Sequence, residues 1–256
     1  MNQAGNAKTR AWAPSHITGF FAAHRNDDLL RSGSIGCGLC LTLGASTIVE
    51  SSPEIKDTEV LLNGVVSDAP VSRFVVEKLA KRPVRVTTEL EMPFGSGFGA
   101  SGAGALGCAY ALNAHFDLGL TSDQAACFAH SAEVVNGTGL GDVVAQNTGG
   151  LVVRLKPGAP GIGRVDRIPV PVLPLNYVVR GPISTRDVLS DKDAMLSVNR
   201  AGDAALKELM KRPTLQNFMQ LSSRFTVRSG LASDWALDAI EAVWATGGMA
   251  SMIMLG

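Results

Sequence analysis

Pro93–Gly107 reads PFGSGFGASGAGALG, with glycine and small residues at the mouth of, and inside, what otherwise patterns as a helix. A helix interior disfavours glycine by roughly 1 kcal/mol relative to alanine, so Gly102, Gly104 and Gly107 need a physical reason. The stretch before it, PVRVTTELEMP, alternates Val84, Val86, Thr88 and Leu90 with more polar residues, as a half-buried strand does. The glycines therefore lie in a strand-to-helix loop and in the helix that it opens. Free backbone N–H groups, the positive end of the helix dipole and the lack of obstructing side chains make that entrance an anion site. For Gly104 and Gly107 a plainer need suffices, that the helix lie close to its neighbours.

Two phosphate-binding folds fit the glycines and fail on what surrounds them. Gly97-Phe98-Gly99-Ala100-Ser101-Gly102 satisfies GxGxxG, but a dinucleotide fold continues into a second strand that ends in an acidic residue. Here the next element after Asp117 is a capped helix at Thr121. A Walker loop needs a lysine after its last glycine, and none lies between Lys81 and Lys156.

Outward from the loop the chain mixes short strands and helices. The residues to about Lys8 are polar, as in a disordered terminus. TRAWAPSHITGFF is an apolar segment broken by Pro14, and a charged turn follows it. IGCGLCLTLGASTIVE predicts two strands with close backbone contacts. Thr58–Leu62 reads as a strand ending at an Asn63-Gly64 turn, and the spacing of Val71, Phe74, Val75 and Leu79 predicts a helix over 70–81. Thr121 and Gln124 form a capping box for a helix that stops near Asn136-Gly137. GTGLGD is then a tight loop, GGLVVRL a strand and PGAPGIG a hinge or hairpin, which puts a domain boundary near Lys156. VDRIPVPVLPLNYVVRG reads as strands punctuated by prolines, followed by helices over 191–210, 215–225 and 233–245. Without strict βα alternation, these elements predict an α+β fold.

Composition removes several classes of function. Lys plus Arg balance Asp plus Glu at 23 each, so no overall field draws the chain to nucleic acid or an anionic membrane. No apolar run reaches the roughly eighteen residues that cross a bilayer, and MNQAGNAKTR lacks a signal-peptide core. The expected location is cytoplasmic. Cys37-Gly38-Leu39-Cys40 has no second pair at zinc spacing, so the four cysteines read as buried reduced thiols.

PFGSGFGASGAG resembles the phosphate-binding motif of the GHMP small-molecule kinases. APSHITGFF resembles their N-terminal motif and GGMASMIMLG the start of their third, in the order the family has. HITGFF, GSIGCGLCLTLG, TGLGDVVAQNTGG and ASMIMLG resemble in particular one branch, the archaeal pantoate kinases of coenzyme A biosynthesis, and the likeness extends over essentially the whole chain. Ser15, where glycine is usual, and Phe98, where many relatives have leucine, depart from the pattern. The resemblance implies a two-domain α+β fold with a ribosomal-protein-S5-like N-terminal domain over 1–156 and a ferredoxin-like C-terminal domain over 157–256. It also implies that the second domain is incomplete, because the third motif leads into further chain in the family.

Phosphoryl transfer needs a phosphate cradle, a cation and a group that positions or deprotonates the acceptor. On spacing alone, Glu133 reads as a solvated helix residue and His16 as a structural histidine, while Asp142 is equally a turn-forming Asp or a presented carboxylate. The resemblance implies more. Pro93, Gly95, Ser96, Gly97, Phe98, Gly99, Ala100, Ser101 and Gly102 would hold ATP, and Ser101 and Glu133 would hold Mg2+. Asp142 would be the general base, and His16, where many GHMP kinases have lysine, would contact substrate or phosphate with Thr18 and Gly19 beside it. The reaction implied is ATP-dependent phosphorylation of the primary hydroxyl of pantoate to 4-phosphopantoate, with pantoate and ATP as the partners and homodimerisation left open. The substrate carboxylate calls for an arginine, and Arg25, Arg31, Arg200, Arg224 and Arg228 are unranked donors. Another GHMP kinase, acting on homoserine, shikimate or an isoprenoid alcohol, and a non-catalytic nucleotide-binding regulator are the alternatives.

Overall fold

Two long strands organise the molecule, whose computed structural model describes residues 7–181 and 192–254. β1 (Ala7–His24) and β2 (Gly33–Ser51) pair antiparallel along their whole length. The sequence predicts two strands where β2 is one. Its glycines mark close approaches of β1 rather than breaks: a Cβ on Gly36 would overlap the Phe20 carbonyl oxygen. Pro14 likewise does not end β1 but sits where its register shifts. The disorder expected to about Lys8 falls on residues outside those described, apart from Ala7 and Lys8, which belong to β1, with Lys8 paired to Glu50.

The remaining elements follow in order. They are β3 (Glu59–Leu62), β4 (Val65–Val66), α1 (Pro70–Leu79), β5 (Arg85–Leu90), α2 (Ala100–His115), α3 (Ser122–Asn136), α4 (Asp142–Thr148), β6 (Leu151–Lys156), β7 (Arg164–Ile168), α5 (Lys192–Leu209), α6 (Leu215–Ser229) and α7 (Asp234–Ala245). This is the expected α+β class, with one sheet among the described residues. The Thr121–Gln124 capping box forms as read, each side chain meeting the other residue's backbone N–H. Two expectations are corrected. GTGLGD does not run straight to a strand but opens the short helix α4. Of VDRIPVPVLPLNYVVRG only β7 is strand, because its prolines lack the N–H that a sheet ladder needs. The expected start of the next helix at Asp191 lies outside the described residues, and α5 follows from Lys192.

The sheet order β4-β3-β5-β2-β6-β7, with β1 on the other edge of β2, creates the functional end of the molecule. One edge of β2 is shared: Ala45–Glu50 pair with β5, and Gly36–Leu39 with β6. Residues 40–44 between them pair with neither strand. β5 ends at Leu90 and β6 begins at Leu151, each beside this split, so the loop after one and the helix before the other must meet there. On the opposite edge, the register of β1 shifts between Pro14 and His16 and sets His16 against Cys40, at the same place.

Two apolar clusters flank the sheet. One joins α1, α2 and α3 to it through residues such as Val49, Val86, Leu106, Leu112 and Ala129. The other packs α5 and α6 on Phe20 and Phe21 of β1, with the Phe20 and Phe218 ring centroids 6.1 Å apart. Close packing on the sheet, expected for both Gly104 and Gly107 of α2, explains only Gly107. A Cβ on Gly107 would stand 2.8 Å from Thr47 Oγ1, whereas on Gly104 the nearest atoms are Thr88 Cγ2 at 3.7 Å and Ser72 Oγ at 3.8 Å. Gly104→Ala is therefore expected to stabilise by about 0.5–1 kcal/mol through helix propensity. Gly107→Ala is expected to destabilise by about 1–3 kcal/mol through overpacking. Denaturant unfolding of the two variants would show opposite signs.

Candidate active site

The loop between β5 and α2 enters the split with Gly95, Gly97 and Gly99 at φ 73°, 74° and 62°, left-handed values that side-chain-bearing residues rarely adopt. Phe98, between two of them, turns its ring into the core and is 1% exposed. Its carbonyl accepts the His16 N–H at 3.0 Å, which fastens the loop to β1. The Tyr177 ring meets the Phe98 ring edge-on at 4.9 Å. Gly99, the N-cap of α2, offers no side-chain cap, in contrast to Thr121, Thr214 and Ser233 at α3, α6 and α7. The first N–H groups of α2 are thus left for an anion.

Facing that entrance are side chains from β1, α3, α4 and β6. Glu133 of α3, read from spacing as solvated, is 2% exposed. Its Oε1 accepts from Ser101 Oγ at 2.8 Å and from Thr138 Oγ1 at 2.6 Å. Burial pushes its carboxyl up to about 7, and the charge of Asp142 adds to this, while the bonds from Thr138 and Ser101 pull it down. Asp142, the first residue of α4, accepts at Oδ1 from His16 Nδ1 at 2.7 Å, the imidazole being fully buried. Desolvation lowers the His16 pKa below its usual value against the pull of Asp142. A neutral imidazole has one N–H. With Nδ1–H given to the carboxylate, Nε2 is left to face Arg154 Nη1 at 3.4 Å.

Arg154 is one residue that sequence reading missed. It lies in the middle of β6, 2% exposed, and its Nε has no hydrogen-bond partner. Burial lowers its pKa, and the nearby Asp142 charge opposes that. The signal was in GGLVVRL, where one arginine interrupts an apolar strand. The five arginines considered instead all have exposed side chains, with Arg31 paired to Asp28 and Arg224 to Glu208. Gln146, one turn after Asp142 on α4, was also missed, because α4 itself was not foreseen; its Nε2–H donates to the Gly99 carbonyl at 2.8 Å.

The fold therefore brings together His16, the loop 95–102 with Ser101, Glu133 and Asp142. Pro93 is half-buried and Ser96 buried at the start of that loop, and Ala100 opens α2. Thr18 and Gly19 meet later parts of the chain through their backbone. The Thr18 carbonyl accepts the Met254 N–H at 3.0 Å, and a Cβ on Gly19 would strike Ser222 and Phe218 of α6. Among the described residues no cluster of three or more His, Cys, Asp or Glu could hold a metal by itself, and no helix is long and apolar enough to cross a membrane.

Residues 68–150 match the GHMP kinases N terminal domain. The sequence is 37% identical to a pantoate kinase of Thermococcus kodakarensis over 96% of this chain and 85% of that protein. It is 34% identical to a pantoate kinase of Methanocaldococcus jannaschii over 96% and 89%. A solved structure described as a phosphotransferase related to the CoA biosynthesis pathway superposes with a TM-score of 0.85 at 34% identity, covering 98% of this chain and 85% of that one.

Proposed function

Because the chain belongs to the pantoate kinases of the GHMP kinase family, we propose that it transfers the γ-phosphate of ATP to the primary hydroxyl of pantoate. The observation that carries this is a carboxylate held by a buried neutral imidazole, between an uncapped glycine cradle and a buried arginine. The cradle 95–102 takes the phosphates on backbone N–H groups. Asp142 accepts the hydroxyl proton as the oxygen bonds to the γ-phosphorus, the bond from that phosphorus to the bridging oxygen breaks, and ADP leaves with the electron pair. His16 orients the carboxylate through Nδ1–H and is a positioning residue. Arg154 receives the pantoate carboxylate, since its guanidinium is the buried cation at this site and its Nε is unmet.

A divalent cation fits the donor set. The hydroxyl of Ser101 and the carboxylate of Glu133, whose Oε2 is buried without a hydrogen-bond partner, are hard oxygen ligands. When bound, such an ion neutralises charge on the transferred phosphate. Every side chain invoked lies before Lys156, which supports a division there into a nucleotide-binding domain and a second domain that leans α5 and α6 on β1.

ADP release measured with pantoate, mevalonate, homoserine and shikimate as acceptors tests the proposal. Turnover is expected with pantoate. Preference for another acceptor would overturn the substrate, and nucleotide binding without turnover on any acceptor would overturn the activity.

A further inference from the structure

Gly102, the third interior glycine of α2, is not explained by packing on the sheet, and the atoms around it point to Gln146. Asp142 and Gln146 stand four positions apart on α4 and so leave the same face of that helix. Gln146 is 4% exposed. Its bond to the Gly99 carbonyl identifies the amide nitrogen, so the other atom, Oε1, is an acceptor, and it has no hydrogen-bond partner. Glu133 Oε2, arriving from α3, is a second buried acceptor in the same condition. Both border one point: they lie 2.9 and 3.4 Å from where a Cβ would stand on Gly102, and Glu133 Oε2 also stands beside Gly139. Buried acceptors are seldom left unmet in a folded protein, and two aimed at one small space call for a shared partner, either a bridging donor or a cation.

We propose that Gln146 Oε1 and Glu133 Oε2 together hold the hydrated divalent cation that accompanies the nucleotide. An amide oxygen and a carboxylate oxygen are ligands of the kind Mg2+ takes while keeping several of its waters. Only one carboxylate is hydrogen-bonded to Ser101 here, and no acidic cluster of three is available among the described residues, so a neutral oxygen supplements it. Gln146 then has two tasks from one side chain. Nε2 braces the glycine loop, Oε1 faces the cation, and both are carried on the helix that presents Asp142. A methyl group on Gly102 would occupy the space beside the two acceptors and press on Val143 Cγ2 of α4 at 3.3 Å.

The inference rests on the kinase reading, and the experiment separates the two. Mn2+, followed by its paramagnetic resonance signal, is titrated into protein saturated with a non-hydrolysable ATP analogue, and analogue binding is measured separately in EDTA. Gln146→Met keeps the side-chain length and removes both polar atoms. Gly102→Ala blocks the shared space and keeps the Gln146 amide itself. Both variants are expected to lose Mn2+ affinity by about tenfold or more, and to lose metal-free analogue affinity by a clearly smaller factor, since the cradle that Gly102 belongs to and Gln146 braces is also disturbed. A smaller loss of Mn2+ affinity in either folded variant overturns the proposal. So does an equal loss with and without metal, which would leave Gln146 as a loop brace alone. If Gln146→Met does not fold, Gly102→Ala decides. Wild-type protein that binds no nucleotide would remove the kinase reading and this inference with it, whereas normal wild-type binding of both isolates the claim about Gln146.

Discussion

Asp142→Asn is expected to lower kcat by about 10²–10⁴-fold, the range for loss of a general base, and to leave nucleotide affinity nearly intact. The substitution preserves shape. Asn still offers an oxygen to His16 Nδ1–H, so the imidazole, buried and neutral, keeps its place between α4 and Arg154. What disappears is the negative charge that takes the proton. The backbone N–H groups at the entrance of α2, which the cradle would offer to the phosphates, are unaltered by the substitution. Single-turnover phosphoryl transfer, with nucleotide affinity measured in parallel, checks both halves of the expectation. Turnover at the wild-type rate would remove Asp142 from the chemistry. Equal collapse of turnover and nucleotide binding would make it a structural residue.

Arg154→Met should cost about 2–5 kcal/mol of substrate recognition, as truncating one partner of a buried charge pair does, with no loss of stability. The two readouts move apart for a physical reason. Before substrate arrives, the guanidinium is desolvated, its Nε is unmet, and its Nη1 faces a neutral imidazole at 3.4 Å. An imperfectly compensated buried charge opposes folding, and an apolar side chain of similar length is neutral or stabilising in such a place. Melting temperature is therefore expected to hold or rise while kcat/KM for pantoate falls. Wild-type protein should also gain about 2.7 kcal/mol from pantoate at a hundredfold excess over its Kd, a gain that falls below about 1 kcal/mol in the variant at the same concentration. Lowered melting temperature with unchanged kcat/KM would show Arg154 to be a strut instead.

The sequence disclosed those parts of the site whose logic is local. The glycines of 95–102 follow an alternating strand and precede a helix, and the capping box of α3 is written in four adjacent residues, so both could be read without a partner in space. Arg154, Gln146 and the burial of Glu133 could not. Each takes its meaning from the split in the edge of β2, where segments more than a hundred residues apart in the chain meet, as His16 and Asp142 do. α4 escaped notice because seven residues give too few turns for an apolar stripe to declare itself. The glycines of β2 misled for the opposite reason. They look like local punctuation, yet they answer to the backbone of β1 lying against them.

The shortness of α4 bears on how this segment can change over time. Asp142 and Gln146 share a face only while the phase of that single helical stretch is kept. One residue added or removed between Asp142 and Gln146 would swing the remainder of the helix by about 100° and carry the amide away from Gly99 and Gly102. Replacements on the Val143 and Val144 side meet only packing constraints. Among descendants of this sequence, TGLGDVVAQ should therefore drift in its apolar letters while its length stays fixed, so that the heritable property here is a count of residues before it is an identity.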